Sequence, residues 1–142
     1  MNSFFYHWIP PPIQAAVANA AAALERFIGG WDGFVRALLA FVAVDYVTGL
    51  MMALAGRRWS GDAGFRGLCR KVLIFALVGV GNISDQLLNG EGHLIRTAVI
   101  FFFVSSEGVS ILENAARMGL PIPAKLKNVL KQLHSPEAKE EE

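Results

Sequence analysis

Three acidic side chains, Asp45, Asp85 and Glu107, stand inside strongly apolar stretches of this sequence. Lipid cannot solvate an ionised carboxylate, and insertion scales put the cost at about 2.5 to 3.5 kcal/mol for each one. Acids in such positions usually face a partner helix or water, where they share protons, pair with cations or line a wet path. The chemistry to look for is therefore membrane assembly and permeability.

The composition also indicates a membrane protein. Of the 142 residues, 54% are hydrophobic and only 18% are charged, and the mean hydropathy is +0.41. Three spans of about 20 residues would use close to half of such a chain, which leaves no room for a large catalytic domain. The single cysteine, Cys69, excludes an internal disulfide framework, and we assign it no role. No secretory signal peptide is recognisable at the N-terminus.

Three apolar stretches predict membrane spans at about 37–56, 72–88 and 97–115, within a transmembrane domain of residues 34–118. Residues 57–71, between the first two spans, form the strongest basic cluster and contain the expected topology determinants Arg57, Arg58, Arg66, Arg70 and Lys71. By the positive-inside rule this loop is cytoplasmic. The loop after the second span carries no Lys or Arg and should face outward, which places the N-terminus outside and the C-terminus in the cytoplasm.

Helical segments are predicted on both sides of the spans. Residues 1–33 form an aromatic arm followed by an amphipathic helix, with an apolar stripe at Ile13, Val17, Ala20, Leu24, Phe27 and Trp31. We expect this helix to lie on the membrane or against a neighbour; a fourth span over residues 11–28, with the N-terminus inside, stays an alternative.

After the third span, Gly119, Pro121 and Pro123 predict a stop and a new start. Residues 119–133 then form a short cytoplasmic amphipathic helix, basic through Lys125, Lys127 and Lys131, and residues 134–142 form a disordered acidic tail. The predicted fold class is an all-α integral membrane protein: three transmembrane helices, an N-terminal amphipathic helix and a short C-terminal basic amphipathic helix.

The predicted spans are two-faced, because helical geometry lines up their polar side chains on one side. We predict a polar face that lines a pore or an oligomer contact, made of Asp45, Thr48, Asn82, Asp85, Ser106, Glu107, Ser110, Glu113 and Asn114. Small residues next to these positions predict close helix packing at Gly49, Gly56, Gly79 and Gly81.

The three acids differ in whether a nearby base could pair with them and so give them a purely structural role. Asp85 lies near the outer end of its span, where Arg36 or Arg96 could neutralise it, so a structural pair and a functional role are equally open. Asp45 and Glu107 lie near mid-membrane, and the predicted spans contain no basic residue to pair with them. We therefore predict that several copies of the chain shield these two acids, and that they are functional.

Signals for catalysis and for cofactors are missing. The histidines, His7, His93 and His134, show no metal-ligand spacing, and the glycines form no phosphate loop. The basic cluster lacks the interleaved aromatic residues of a nucleic-acid binder. We predict no enzyme activity, no cofactor, no metal and no nucleic-acid partner.

Particular motifs resemble the toxin-secretion and phage-lysis holin family. They are Asp-Tyr-Val-Thr-Gly at 45–49, Gly-Phe-Arg-Gly-Leu at 64–68 leading to Lys71, and residues 96–130. The most specific part is Glu-Gly-x-Ser-Ile-Leu-Glu-Asn at 107–114, followed by Gly119-x-Pro121-x-Pro123. The likeness covers about residues 34–133 and leaves out the N-terminal arm and helix.

The resemblance implies a small phage or prophage holin in the host bacterial cytoplasmic (inner) membrane. Such a protein forms homo-oligomers in membrane lipid and opens timed lesions. An endolysin then escapes as cargo without specific binding, and an antiholin is a further implied partner. Two alternatives stay open: a small ion or proton channel or transporter subunit, and an antiholin-type regulator that makes no hole alone.

Overall fold

The computed structural model describes residues 8–88 and 92–134, which form helices and connecting turns without a strand. The helices are α1 (Pro11–Ile28), α2 (Gly33–Ala55), α3 (Gly61–Leu87), α4 (Leu94–Arg117) and α5 (Ala124–His134). Most of the predicted aromatic arm and nearly all of the predicted acidic tail lie outside the described residues.

Three of these helices are long and apolar enough to span a membrane, namely α2, α3 and α4. They contain 23, 27 and 24 residues, which at 1.5 Å per residue gives lengths of about 35 to 40 Å. The hydrocarbon core of a bilayer is about 30 Å thick, so each is long enough to cross it. The prediction of an all-α protein with three membrane-spanning helices is confirmed.

The second of these helices begins much earlier than the sequence predicted. The segment 57–71 was expected to be a loop, but α3 starts at Gly61 and continues through the basic cluster. Ser60 caps this start, because its hydroxyl accepts a hydrogen bond from the Ala63 N–H at 3.2 Å. The loop prediction is therefore wrong from residue 61 onward.

A tight turn joins α1 to α2. Gly29 and Gly30 have φ angles of 85° and 105°, which L side chains rarely adopt. Asp32 then caps α2 by accepting a hydrogen bond from the Val35 N–H at 3.0 Å. The apolar stripe predicted for α1 stays largely exposed, and only Ile28, in its last turn, is buried.

The three long helices form an up-down-up bundle in which α4 is central: α3 runs antiparallel to α4, and α2 runs parallel to it. Both α2 and α3 pack along α4, whereas α2 and α3 touch each other only sparsely. We call the end of the bundle that carries Arg57, Arg58 and Arg66 the arginine end, and the end with the α1–α2 turn the opposite end. The buried apolar core lies entirely toward the opposite end: Ile28, Val35, Leu38, Val42, Ile74, Val78 and Ile100.

Candidate functional site

Three charged side chains from three helices meet in the interior of the bundle. Lys71 of α3 donates hydrogen bonds to Asp45 of α2, 2.5 Å from Nζ to Oδ2, and to Glu107 of α4. The side chains of Lys71, Asp45 and Glu107 are only 12%, 10% and 5% exposed. We call Asp45, Lys71 and Glu107 the charged triad.

The charged triad overturns two expectations from the sequence. Lys71 was expected to act as a topology determinant in a loop, and no base was expected on a span. Because α3 begins at Gly61, Lys71 lies ten residues inside it and reaches both acids. The carboxylates are thus shielded within a single subunit, and shielding by several copies is not required for their burial.

Helix geometry gives the distance of the charged triad from the arginine end. Each of its residues lies ten residues from the end of its helix at the arginine end, which corresponds to about 15 Å along the axis. That distance is about half the thickness of a bilayer's hydrocarbon core. With all three groups ionised the triad carries a net charge of −1, so one carboxylate has no cation of its own.

Neutral polar side chains extend the triad toward the arginine end. The Asn114 amide donates to Thr48 Oγ1 at 3.0 Å and to Asp45 Oδ1 at 3.4 Å. The Thr48 hydroxyl donates to the Val44 carbonyl at 2.9 Å. These contacts tie α2 to α4 through polar groups that in lipid would otherwise lack partners.

The remaining polar positions predicted on α4 are spread around the helix. Ser106 and Ser110 are half-buried, and Ser110 lines a cavity beside Asp45. Glu113 is exposed. Glu113 thus lies on the surface, while Glu107 and Asn114 face the interior.

A cavity of about 320 Å³ lies next to the charged triad on the side of the arginine end. Its polar floor is made by Asp45, Lys71, Ser110 and Asn114, and its wall includes Tyr46 and Trp59. Small residues leave this space open where α2 and α3 diverge: Gly49, Ala53, Ala63, Gly64 and Gly67.

A second polar cluster lies at the opposite end and is built around Arg96. Its side chain is 1% exposed and donates to the Ile28 carbonyl at 2.6 Å, the Gly30 carbonyl at 3.0 Å and Asp32 Oδ2 at 2.7 Å. Arg96 therefore clamps the α1–α2 turn to the start of α4. The sequence predicts only that Arg96 could neutralise Asp85; it gives no signal for this clamp, since 64 or more residues separate Arg96 from these partners.

Asp85 and Asn82 belong to the same cluster. Asp85 accepts hydrogen bonds from the backbone N–H groups of Ile95 and Arg96, both at 2.9 Å, so the N-terminus of α4 stabilises its negative charge. Asn82 donates to the carbonyl oxygens of Arg26 and Phe27 at the end of α1. These two predicted polar-face residues thus lie far from the charged triad and hold the helix ends together.

The Arg96 guanidinium also lowers the pKa of the Asp32 carboxyl from its ordinary value of 3.8. The ion pair stabilises the ionised carboxylate, although the Asp32 side chain is 43% exposed. Asp32 is therefore a charged partner of Arg96 at neutral pH.

The four glycines predicted to allow close packing fall into two groups. A Cβ at Gly79 would lie 2.1 Å from the Phe27 ring, and one at Gly81 would lie 3.1 Å from the Arg96 Cα. At Gly49 the nearest atom would be the Asn114 amide, at an ordinary 3.8 Å, and at Gly56 it would be a carbonyl of the preceding helical turn. Close approach between helices occurs at Gly79 and Gly81.

Of the other predicted topology determinants, Arg57 and Arg58 lie in the linker between α2 and α3, whereas Arg66 and Arg70 lie on α3 and not in the predicted loop. Arg57, Arg58, Arg66 and Arg70 are exposed, and Arg70 also lines the cavity. Within residues 8–88 and 92–134, no group of three His, Cys, Asp or Glu side chains is placed to hold a metal ion.

Comparisons with known proteins place the chain in a family. The profile of the bacteriophage holin family matches residues 22–135. The chain is 39% identical to an uncharacterized 14.9 kDa protein in the nagH 3' region of Clostridium perfringens, over 87% of this chain and 93% of that protein. It is 37% identical to an uncharacterized protein of Halalkalibacterium halodurans, over 89% of this chain and 97% of that protein.

A further relative, an uncharacterized protein of Listeria innocua, is 33% identical over 92% of both chains. No solved structure matches the chain. The family match covers most of the sequence, includes the charged triad and agrees with three membrane-length helices. This multi-pass protein of the bacterial cytoplasmic membrane belongs to the bacteriophage holin family.

Proposed function

We propose that the chain is a holin: it oligomerises in the bacterial cytoplasmic membrane and opens timed lesions through which an endolysin reaches the cell wall. The observation that carries the proposal is the charged triad, which buries two acids against one base between three membrane-length helices. Such a centre is costly to keep in lipid and would gain strongly from contact with water. A subunit of this kind is a closed form that stores a hydrophilic surface.

The proposed opening follows from where the polar groups lie. In the closed subunit α4 turns Glu107 and Asn114 toward α2 and α3. If neighbouring subunits pull these helices apart, the same face of α4, with Ser106 and Ser110, becomes the wall of a water-filled hole. Glu113 is exposed already and is placed to join that face or to contact a neighbour.

Membrane potential provides a physical trigger for this opening. Moving one charge across the whole membrane changes its energy by about 2.3 kcal/mol per 100 mV. A triad with a net negative charge feels this field, so its preferred arrangement changes when the potential collapses. The proposed orientation, with the N-terminus outside, places the arginine end in the cytoplasm.

The experiment is expression in a bacterial host together with an endolysin that has no export signal of its own. We expect sudden lysis only when both proteins are present, with release of the folded enzyme. Expression without endolysin should stop growth without lysing the cells. If the potential falls but the enzyme stays inside, the chain does not make holes large enough for a protein.

A small ion or proton channel is the second candidate, and the cavity that reaches the charged triad favours it. The same experiment separates the two, because a channel would collapse the potential without releasing an enzyme. An antiholin-type regulator would do neither alone and would delay lysis by a competent holin. The function proposed here requires no catalysis.

A further inference from the structure

The cavity beside the charged triad has the properties of a hydrated space inside the membrane. Its volume of about 320 Å³ is room for about ten water molecules, at about 30 Å³ each. A buried water needs two to four polar partners, and the floor offers Asp45, Lys71, Ser110 and Asn114. An apolar void of this size would be dry, whereas a cavity with this floor offers water the polar partners it needs.

The cavity is closed toward the opposite end of the bundle and extends toward the arginine end. The buried apolar side chains of the described residues all lie on the other side of the triad, toward the opposite end. Toward the arginine end the lining reaches Trp59 and Ala63, beside the linker between α2 and α3, and the exposed Arg70. The bundle is thus polar and open toward the arginine end, whereas a packed apolar layer separates the triad from the polar Arg96 cluster at the opposite end.

We propose that this cavity is a water-filled vestibule, open at the arginine end and closed at the opposite end, that keeps the charged triad in contact with one aqueous phase. The charged side chains that face it are Asp45 from α2, Lys71 and Arg70 from α3, and Glu107 from α4 beneath the floor. Water in the vestibule lowers the cost of burying the triad's net charge inside the bundle.

The vestibule also divides the path across the membrane into a hydrophilic part and an apolar part. From the arginine end to the triad, a hydrophilic route exists within each closed subunit. Only the apolar layer around Val42, Val78 and Ile100 then has to separate before water crosses the bilayer. The inference rests on the membrane placement of the three helices and does not depend on lysis.

Thiol accessibility tests the vestibule. In a Cys69→Ser background, Gly49→Cys and Ala53→Cys each place a thiol on the cavity wall; the Gly49 site has 3.8 Å of clearance to its nearest neighbour. The control is Val47→Cys on the outer surface of α2, 53% exposed and matched in depth to Gly49→Cys, from which it lies about 3 Å along the helix axis. The probe is a membrane-impermeant anionic methanethiosulfonate, added from either side of the membrane.

Thiols react as thiolates, which form in water and not in hydrocarbon. We expect both cavity thiols to react from one side only, at least about tenfold faster than Val47→Cys. Arg58→Cys, in the linker, reports which side the arginine end faces. The vestibule is supported when the cavity thiols react from the same side as Arg58→Cys, whichever side that is.

Three results would overturn the inference. The cavity thiols could react no faster than Val47→Cys, they could react from the side opposite to Arg58→Cys, or they could react from both sides. Failure of the proposed function is a separate result, because a chain that released no endolysin would leave these labelling rates unchanged.

Discussion

At the scale of single residues, Lys71 is the group on which the interior depends. It is the only base in contact with two buried acids, since the salt bridges of the described residues join it to Asp45 and Glu107. A buried ion pair contributes little net stability when complete, but removal of one partner leaves an uncompensated buried charge. The lysine is therefore more critical than either acid alone.

Replacement of Lys71 by Met should destabilise the folded subunit by about 3 to 5 kcal/mol, because two carboxylates lose their cation. Reversible unfolding in mixed detergent micelles, followed by helix content, measures the change. The control is Arg70→Met at the neighbouring exposed position, for which we expect a change below about 0.5 kcal/mol. Equal effects of the two substitutions would contradict the central role of Lys71.

The triad can also be removed as a unit. The triple variant Asp45→Asn, Lys71→Met and Glu107→Gln has no buried charge, so it should recover most of the stability lost in Lys71→Met. A triple variant as unstable as Lys71→Met alone would show that packing of the lysine stem, and not charge balance, explains the loss.

The Asp32–Arg96 pair predicts a pH dependence at the opposite end. The folded-state pKa of Asp32 is lowered, so its contribution to stability is complete above its ordinary value of 3.8 and is lost as pH falls through the lowered value. Asp32→Asn keeps an N-cap side chain but loses the charge, and should cost about 1 kcal/mol at pH 7, since the carboxylate is partly exposed. Unfolding measured from pH 7 down to pH 2 should show the two proteins converging in acid; a constant difference would contradict the ion pair.

At the scale of the elements, the α1–α2 turn decides where the N-terminal helix leaves the bundle. Arg96 donates to two carbonyl oxygens of this turn, and Asn82 donates to two more at the end of α1. Both donors come from the membrane bundle. The bundle therefore holds the turn in place, and the turn sets the direction of α1.

Gly29→Ala and Gly30→Ala form a matched pair that tests this turn. Both glycines have positive φ, and an L residue there costs about 1 to 2 kcal/mol. A Cβ at Gly29 would also lie 2.5 Å from Asn82 Oδ1 and 2.8 Å from Arg96 Nε, whereas one at Gly30 meets nothing within 4 Å. We expect Gly29→Ala to lose about 1 to 3 kcal/mol more than Gly30→Ala, because of overpacking.

Thermal unfolding followed by the fluorescence of Trp31, two residues beyond Gly29, measures both glycine variants in a Trp8→Phe, Trp59→Phe background, because the chain has three tryptophans. Addition of Asn82→Ala should relieve part of the Gly29→Ala penalty, since it removes the nearest atoms of the clash. Similar losses for the two single variants would mean that backbone strain alone controls the turn.

At the scale of the whole molecule, the balance of two acids against one base should influence when lysis begins. Glu107→Gln leaves Asp45 and Lys71 as a balanced pair, so the closed subunit becomes cheaper to keep and we expect later lysis or none. Asp45→Asn should act in the same direction. The measurement is culture turbidity after induction with endolysin present, at matched protein levels in the membrane.

Glu113→Gln is the control for this timing experiment, because it removes an exposed acid from the same helix. It should change the onset of lysis much less than Glu107→Gln. If both Glu107→Gln and Asp45→Asn lyse on the wild-type schedule, the buried acids have no part in the opening step.

The sequence by itself determined the class of the protein: apolar stretches of about 20 residues predicted three spans, and the motif at 107–114 indicated the family. These features are local, because span length follows from bilayer thickness and a motif is read along the chain. Tertiary structure alone decided the partners of the buried charges. Lys71 finds Asp45 and Glu107 across 26 and 36 residues, and Arg96 finds Asp32 across 64. Such pairs depend on where each helix begins, how it is rotated and which neighbour it packs against, and a one-dimensional pattern of apolar and polar residues carries none of these.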